Sequence, residues 1–199
     1  MLITLFSSFI HAPSYFTGKI VYQHTFTDLD GKETMNALYT ALGREQHYLI
    51  DDKNYKALNE NGRYIQLYNG QTNTYYHFSG NAAHKIDAAT SSSSPAVITK
   101  HPGKEKIAGF DCQALQMETG STTTIYYYSD KIKVDPATYA RHQFGDWNKY
   151  MEASNGALPL KFVMKDHKNK FIWTSVAKVV NEQKMSTEDF RFPAGYQLK

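Results

Sequence analysis

The sequence predicts a mainly β (α+β) protein: a single strongly curved antiparallel sheet, or half-open β-barrel, with a helical lid or plug. Three observations support this fold class. Segments of alternating apolar and polar residues recur along the chain, turn residues separate them about every ten positions, and a single amphipathic helical segment follows most of the strands. One such helix cannot cover a flat sheet of this size, so we expect the sheet to curve around it.

The first clear strand covers residues 19–26, where Ile20, Tyr22, His24 and Phe26 alternate and therefore share one face. Asp28-Leu29-Asp30-Gly31 is typical of a hairpin turn. Further strands are predicted, each bounded by turn residues, at residues 34–42, 45–50, 55–58, 63–68 and 74–78.

The second half of the chain contains the helical segment. Residues 81–103 have no regular pattern, and strand character resumes at residues 106–107, 110–118 and 122–128. Asp135-Pro136 is a typical helix start, Asn155-Gly156 is a typical stop, and four apolar residues between them recur at helical spacing: Ala140, Phe144, Trp147 and Met151. The pattern predicts one helix over residues 135–156, then a hairpin formed by residues 159–165 and 170–180.

Composition favours a globular domain with amphipathic strands. The 199 residues are 41% apolar and 21% charged, and fifteen tyrosines raise the aromatic content to 14%. Tyrosine fits a half-buried pleated surface, with its ring on apolar neighbours and its hydroxyl at a wet edge. The net charge is only +3 and the lysines are scattered, so we expect no nucleic acid partner.

Residues 1–14 differ from the remainder, which we predict to be a single domain over residues 15–199. The N-terminal stretch is short, apolar and followed by small residues, as in the second half of a secretory signal, but it lacks a positive first part. It is a signal-peptide remnant, a disordered N-terminus or a native first strand. No stretch approaches the roughly 18 apolar residues of a membrane span, so no transmembrane segment is expected.

No catalytic or cofactor motif is present in the sequence. The eight histidines lack metal-ligand spacing, and Cys112 stands alone in an apolar context typical of a small core residue. The carboxylate pairs fall at turns, where Asp and Asn organise the backbone. We therefore predict no metal, no cofactor and no enzymatic activity.

The aromatic runs are the remaining candidates for a site. Tyr75-Tyr76 and Tyr126-Tyr127-Tyr128 place rings on both faces of their strands, which fits either ordinary packing or an apolar cavity on one side. The residues predicted to line such a concavity are Tyr22, Phe26, Tyr64, Tyr126, Tyr128 and Trp147.

Three segments resemble an uncharacterised family of Gram-negative envelope proteins. Residues 106–112 resemble its "I-x-G-[YF]-x-C" strand start, residues 157–161 resemble its "G-x-P-L" strand start after the helix, and residues 190–196 resemble its "F-x-x-P-x-G-[YF]" ending. That family is similar to the periplasmic lipoprotein carriers LolA and LolB, which share a half-open curved barrel with a helical lid. The resemblance covers residues 17–199.

The resemblance implies an exported protein of the periplasm or cell envelope with a concave apolar face. Two roles stay open: a protein that binds a lipid or another hydrophobic ligand in that face, or a structural protein with a fully packed barrel and an envelope protein as partner. An enzyme would require histidine, cysteine or carboxylate groups to converge in one cleft.

Overall fold

Twelve strands form one sheet in residues 15–33, 36–91 and 95–199, the parts of the chain that this computed structural model describes. The strands are β1 (Gly18–Asp28), β2 (Glu45–Ile50), β3 (Asn54–Asn59), β4 (Tyr64–Asn69), β5 (Thr74–Ser79), β6 (Ala82–Asp87), β7 (Val97–Ile107), β8 (Phe110–Thr119), β9 (Thr122–Lys133), β10 (Ala157–Asp166), β11 (Phe171–Glu182) and β12 (Gln197–Leu198). The predicted fold class, one large curved open sheet, is confirmed. Residues 1–14 lie outside the described residues.

The open sheet consists of two meanders, β1 to β6 and β7 to β11, which are joined where β11 pairs with β1. Its order is β12-β6-β5-β4-β3-β2-β1-β11-β10-β9-β8-β7, and every pairing is antiparallel except the short β12–β6 edge. β1 pairs with both β2 and β11 and so joins the two halves. Its predicted alternation is confirmed, because Ile20, Tyr22, His24 and Phe26 are all buried while Gln23 and Thr25 are exposed.

Aspartates organise several of the turns between these strands, as the sequence predicts. The Asp51 carboxylate accepts backbone hydrogen bonds from Lys53 (2.8 Å) and Asn54 (2.6 Å). Asp166 does the same for Lys168 (2.9 Å) and Asn169 (2.8 Å). These carboxylates therefore shape the backbone and do not form a reactive pair.

The predicted strand over residues 34–42 is wrong for its described part, which is the helix α1 (Asn36–Leu42). The segment is rich in alanine and leucine, which favour a helix, and α1 contributes no fully buried residue to the core. Tyr39 nevertheless packs its ring edge-on against Phe26, with 4.9 Å between ring centroids. The irregular stretch at 81–103 is also corrected, since it contains β6 and most of β7.

The single helix predicted over residues 135–156 is wrong as well. The chain forms two 3-10 helices, Pro136–Tyr139 and Phe144–Asp146, and then the helix α2 (Trp147–Ala153). Gly145 (φ 67°) and Asp146 (φ 56°) adopt left-handed conformations, which a continuous right-handed helix cannot contain. We call residues 136–153 the plug segment.

The plug segment lies against the buried, concave face of the sheet, and residues 185–196 lie against the opposite, convex face before β12 joins the sheet edge. Tyr139, Tyr150 and Met151 of the plug segment are fully buried in the main hydrophobic core. On the convex face, a smaller cluster forms where Phe190 packs with Leu67, Phe78 and Ala83. Chain segments therefore cover both sides of the strands near β4 to β6.

Candidate ligand-binding site

The plug segment fills only part of the concave side. Beside the packed region around Tyr139, Tyr150 and Met151, a cavity of about 390 Å³ remains. Trp147, the first residue of α2, borders it from the plug segment, and Leu42, the last residue of α1, borders it from outside the sheet.

The cavity walls come from three groups of strands. β1 and β2 contribute Tyr22, Gln46 and Tyr48; β4 and β5 contribute Ile65, Gln66, Tyr75 and His77; β9, β10 and β11 contribute Tyr126, Pro159, Phe162, Met164, Trp173 and Ser175. Most of these side chains are aromatic or aliphatic, and the others are uncharged polar groups. This composition is typical of pockets for small apolar ligands, which combine an apolar wall with a few placed polar groups.

A second cavity of about 210 Å³ adjoins the first. The two share Tyr48, Gln66, Tyr75 and Trp147, so these four residues mark the junction between them. The remaining walls of the smaller cavity come from Tyr55 and from the plug segment, including His142. The ring of His142 stacks on that of Tyr55, with 5.8 Å between centroids.

Some hydroxyl groups around the cavity have partners within the protein. The Tyr22 hydroxyl donates to the backbone oxygen of Pro159 at 2.6 Å, and the Tyr75 hydroxyl donates to Oε1 of Gln66 at 2.9 Å. Five buried polar atoms of the described residues have no such partner: the Tyr48 hydroxyl, the Trp147 Nε1, the Ser175 Oγ, the His142 Nδ1 and the Asn148 Oδ1. Tyr48, Trp147 and Ser175 line the larger cavity and His142 lines the smaller one, although the five atoms themselves are closed off by neighbouring groups.

The cavity is electrically neutral near pH 7. Burial raises the pKa of Tyr22, Tyr48 and Tyr75, and burial raises that of Tyr126 to about 12, so these hydroxyls keep their protons. Burial, followed by the nearby His84, lowers the pKa of His77 and favours its neutral form.

His24 is buried, and it pairs with the lining residue Ser175 across β1 and β11. Its Nδ1 accepts a hydrogen bond from the Trp173 indole N–H at 3.2 Å, so the ring proton lies on Nε2, which donates to Oε1 of Gln46 at 3.0 Å. Burial lowers the pKa of His24 to about 4. With both nitrogens engaged, His24 is a structural group and is not placed to act as a base toward Ser175.

The other histidines and the cysteine, as far as the structure describes them, do not gather in the cavity either. His47 pairs with Glu45, whereas His77 and His84 are cross-strand partners. Cys112 is buried, as predicted, and burial raises its thiol pKa to about 11. Within the described residues, no three histidine, cysteine or acidic side chains form a group that could hold a metal ion.

Comparison with protein families gives a match over nearly the whole chain. The model "Domain of unknown function (DUF4412)" matches residues 16–196. The chain belongs to the DUF4412 family. No curated protein sequence matches it significantly.

Solved structures similar to this DUF4412 chain share its fold at low sequence identity. Two crystal forms of PNGF-II match at 17% and 16% identity, with TM-scores of 0.53 and 0.52. Each match covers 92% of this chain but only 31% and 30% of PNGF-II, so the DUF4412 chain spans about a third of that protein. At this identity the likeness shows the fold alone.

A LolA superfamily protein from Nitrosomonas europaea matches with 9% identity and a TM-score of 0.39, covering 88% of this chain and 90% of that chain. A putative outer membrane lipoprotein-sorting protein domain from Vibrio parahaemolyticus matches with 10% identity and a TM-score of 0.30, over 87% and 89% of the two chains. Neither likeness is close enough to carry an argument about function. Among the described residues of the DUF4412 chain, no helix has the length and apolar character needed to cross a membrane.

The structure brings three of the six predicted site residues together at the larger cavity: Tyr22, Tyr126 and Trp147. Tyr128 is buried in the main core, and Phe26 is fully buried against Trp173, a lining residue, with 5.5 Å between ring centroids. These two lie behind the wall of the cavity.

Tyr64 lies on the other face of the sheet. Its ring packs against Phe78 and Tyr196 in the convex-face cluster, because a β-bulge inserts Ile65 opposite β3 and reverses the alternation. As a result the consecutive residues Ile65 and Gln66 both line the cavity, whereas Tyr64 does not.

Sequence reasoning missed the contribution of β10 and β11. Phe162, Met164, Trp173 and Ser175 follow the period of two expected for one face of a hairpin, and Phe162 is paired with Ser175. That alternation was visible in the sequence. What could not be seen was that this hairpin would lie next to β1, where Trp173 pairs with Phe26.

Proposed function

We propose that this DUF4412 chain is a non-enzymatic protein of the cell envelope that binds one lipid or other apolar molecule in the 390 Å³ cavity. The observation that carries the proposal is the cavity itself, which has an apolar, uncharged wall on the concave side of the sheet. Its volume lies within the range of about 300–1,000 Å³ for small-molecule sites.

The cavity favours ligand binding over a purely structural role. A barrel that serves only as a scaffold for an envelope partner is expected to fill its interior with its own side chains, as native cores do. The plug segment does this around Met151 but leaves the space beside Trp147 open.

The envelope location rests on the apolar residues 2–10 and on the family resemblance of the three motifs. Fractionation of Gram-negative cells that express the full chain with a C-terminal tag tests it. Recovery with periplasmic or envelope markers supports the location, and recovery only with cytoplasmic markers contradicts it.

Binding is best tested with an uncharged fluorescent probe, N-phenyl-1-naphthylamine, and a pair of variants in β10. Met164 lines the cavity, whereas its neighbour Val163 is half-buried on the opposite face of the strand. Met164→Trp places a larger side chain where the ligand would lie, and Val163→Trp makes the matched change outside the cavity.

We expect the wild type and Val163→Trp to bind the probe with saturation, and Met164→Trp to bind at least about tenfold more weakly because its site is filled. Circular dichroism and thermal melting check that both variants fold. If the folded wild type does not bind the probe, or if the two variants bind it equally, the proposal is contradicted.

A further inference from the structure

His24 lies behind the wall of the larger cavity and connects two of the residues that line it. Its side chain is buried and does not itself border the cavity. The Trp173 indole N–H, from β11, donates to the His24 Nδ1 at 3.2 Å, and the His24 Nε2–H donates to Oε1 of Gln46, from β2, at 3.0 Å. Trp173 and Gln46 both line the cavity, so one buried ring joins two side chains of its wall.

The chemistry of tryptophan fixes the direction of both hydrogen bonds. An indole N–H can only donate, so the Nδ1 of His24 must accept and the ring proton must lie on Nε2. Because that proton is donated to Gln46, the side-chain amide of Gln46 must turn its oxygen toward His24. The three side chains therefore form a chain of hydrogen bonds with one consistent order of donors and acceptors.

This order requires a neutral ring, since an imidazolium carries a proton on both nitrogens and could not accept from Trp173. Burial lowers the pKa of His24 to about 4, although the hydrogen bond to Gln46 and the carboxylate of Glu60 act in the opposite direction. The His24 ring is therefore neutral near pH 7, and the chain of hydrogen bonds is complete there.

The two partners of His24 belong to different halves of the sheet. Gln46 lies in the meander β1 to β6 and Trp173 in the meander β7 to β11, and the two meanders meet where β1 pairs with β11. In register, Tyr22 of β1 lies opposite Gln46 and Phe26 of β1 lies opposite Trp173. His24 stands midway between them, so its hydrogen bonds tie together walls of the cavity that come from the two halves.

The other ring contacts of Trp173 do not define its orientation as closely. Its ring packs against Phe162 and Phe26, with 4.9 and 5.5 Å between ring centroids. Aromatic packing of this kind tolerates several arrangements of similar energy, whereas a hydrogen bond requires a given distance and angle. The bond to His24 therefore selects one orientation of a large ring at the surface of the cavity.

Resting on the proposed binding function, we propose that His24 is a positioning residue of the site, which holds the Trp173 indole and the Gln46 amide in the orientation that the ligand meets. His24 does not itself touch the ligand. It keeps the wall in its binding form, because a site binds more weakly in proportion to the fraction of time it spends in other arrangements. A purely structural histidine would instead stabilise the fold and leave the ligand affinity of the folded protein unchanged.

Three variants separate these two roles. His24→Leu keeps an apolar side chain in the buried position but can neither donate nor accept, whereas His24→Gln can still accept from Trp173 and donate to Gln46. Tyr139→Phe is the matched control. It removes another buried hydrogen bond, from the Tyr139 hydroxyl to the Asp51 backbone oxygen (3.2 Å), and Tyr139 lines neither of the two cavities.

Titration with N-phenyl-1-naphthylamine at pH 7 measures the affinity of each folded variant. We expect His24→Leu to bind the probe at least about tenfold more weakly than the wild type, because its wall is no longer held in one arrangement. His24→Gln should stay within about threefold of the wild type. Tyr139→Phe should bind as the wild type does, although its melting temperature falls.

Nuclear magnetic resonance reports on the hydrogen bond itself. The chain has two tryptophans and hence two indole N–H signals, and Trp147→Phe identifies the signal of Trp173. In His24→Leu this signal should shift, and its proton should exchange with solvent at least about tenfold faster, whereas His24→Gln should retain its protection. The nitrogen chemical shifts of His24 in the wild type show which nitrogen carries the proton, which gives a check that needs no variant.

The two proposals fail in different ways. Absence of probe binding by the folded wild type overturns the binding function. With probe binding intact, the positioning role is overturned if folded His24→Leu binds as tightly as the wild type, if Tyr139→Phe loses as much affinity as His24→Leu, or if the ring proton of His24 lies on Nδ1.

Discussion

The concave side of the sheet has a packed part, around Tyr139, Tyr150 and Met151, and an open part, the cavity beside Trp147. Both contain buried hydroxyl groups, but the two parts differ in whether those hydroxyls have partners. In the packed part, the buried hydroxyls of Tyr150 and Tyr139 donate to the backbone oxygens of Ala157 (2.9 Å) and Asp51 (3.2 Å). In the open part, the hydroxyls of Tyr48 and Ser175 find no partner. The tyrosines of the packed part are therefore bonded within the protein, whereas two hydroxyls of cavity-lining residues are buried without a protein partner.

The largest expected effect comes from a pair of methionines, one in each part. Met151 is fully buried in the plug segment, whereas Met164 is half-buried at the cavity wall. Met151→Ala should lower the free energy of unfolding by about 2–5 kcal/mol because it creates a new void. Met164→Ala should lower it by less than about 1 kcal/mol because it only enlarges an existing space. Urea denaturation measures both, and equal losses would remove the distinction between the two parts.

The second prediction concerns pH. Acid should destabilise the protein by protonating one buried histidine in each part, His24 beside the cavity and His142 in the plug segment. Burial lowers the pKa of His24 and of His142 to about 4, from an ordinary value near 6.5. Between these values the unfolded chain binds more protons than the folded one, so stability falls as the pH drops from about 6.5 to 4. The loss is up to about 3 kcal/mol for each histidine.

Urea midpoints between pH 8 and pH 4.5 check this prediction. His142→Gln should flatten the decline, whereas His167→Gln, at an exposed turn position, should leave the slope unchanged. A flat profile in the wild type would show that neither histidine is held neutral by the fold.

A smaller difference in stability is expected between two variants that each remove a buried tyrosine hydroxyl. Tyr150→Phe removes one of two donors to the Ala157 oxygen, since the Ser154 hydroxyl also donates to it, and should cost about 0.5–1.5 kcal/mol of stability. Tyr48→Phe removes a buried hydroxyl that has no partner and should be neutral or slightly stabilising. Thermal melting without ligand compares them. A clear loss of stability in Tyr48→Phe would mean that its hydroxyl is already bonded.

Much of the fold could be predicted because it depends on local patterns. The alternation of β1 and the aspartate turns at Asp51 and Asp166 are properties of neighbouring residues. The break in the predicted long helix is also local, since Gly145 and Asp146 mark it. α1 was missed because a seven-residue helix without buried positions leaves no helical stripe in the sequence.

The site depends on long-range register and could be predicted only in part. Tyr22 and Tyr126 were predicted from the sequence and border the cavity, but the bulge at Ile65, which turns Tyr64 to the other face, has no marker in the sequence. Whether Tyr48 would find a hydrogen-bond partner depends on chain segments far away. For the same reason, the choice between a filled and an open interior needed the structure.

The most direct test of the central claim uses the two tryptophans of the chain, Trp147 and Trp173, because both line the cavity. A bromine-substituted methyl ester that enters the cavity should quench most of the intrinsic fluorescence, with saturation at one molecule per chain. Trp147→Phe and Trp173→Phe should each retain a quenchable signal. Quenching that rises linearly with ester concentration, as it does for free tryptophan in solution, would contradict a ligand site inside the curved sheet.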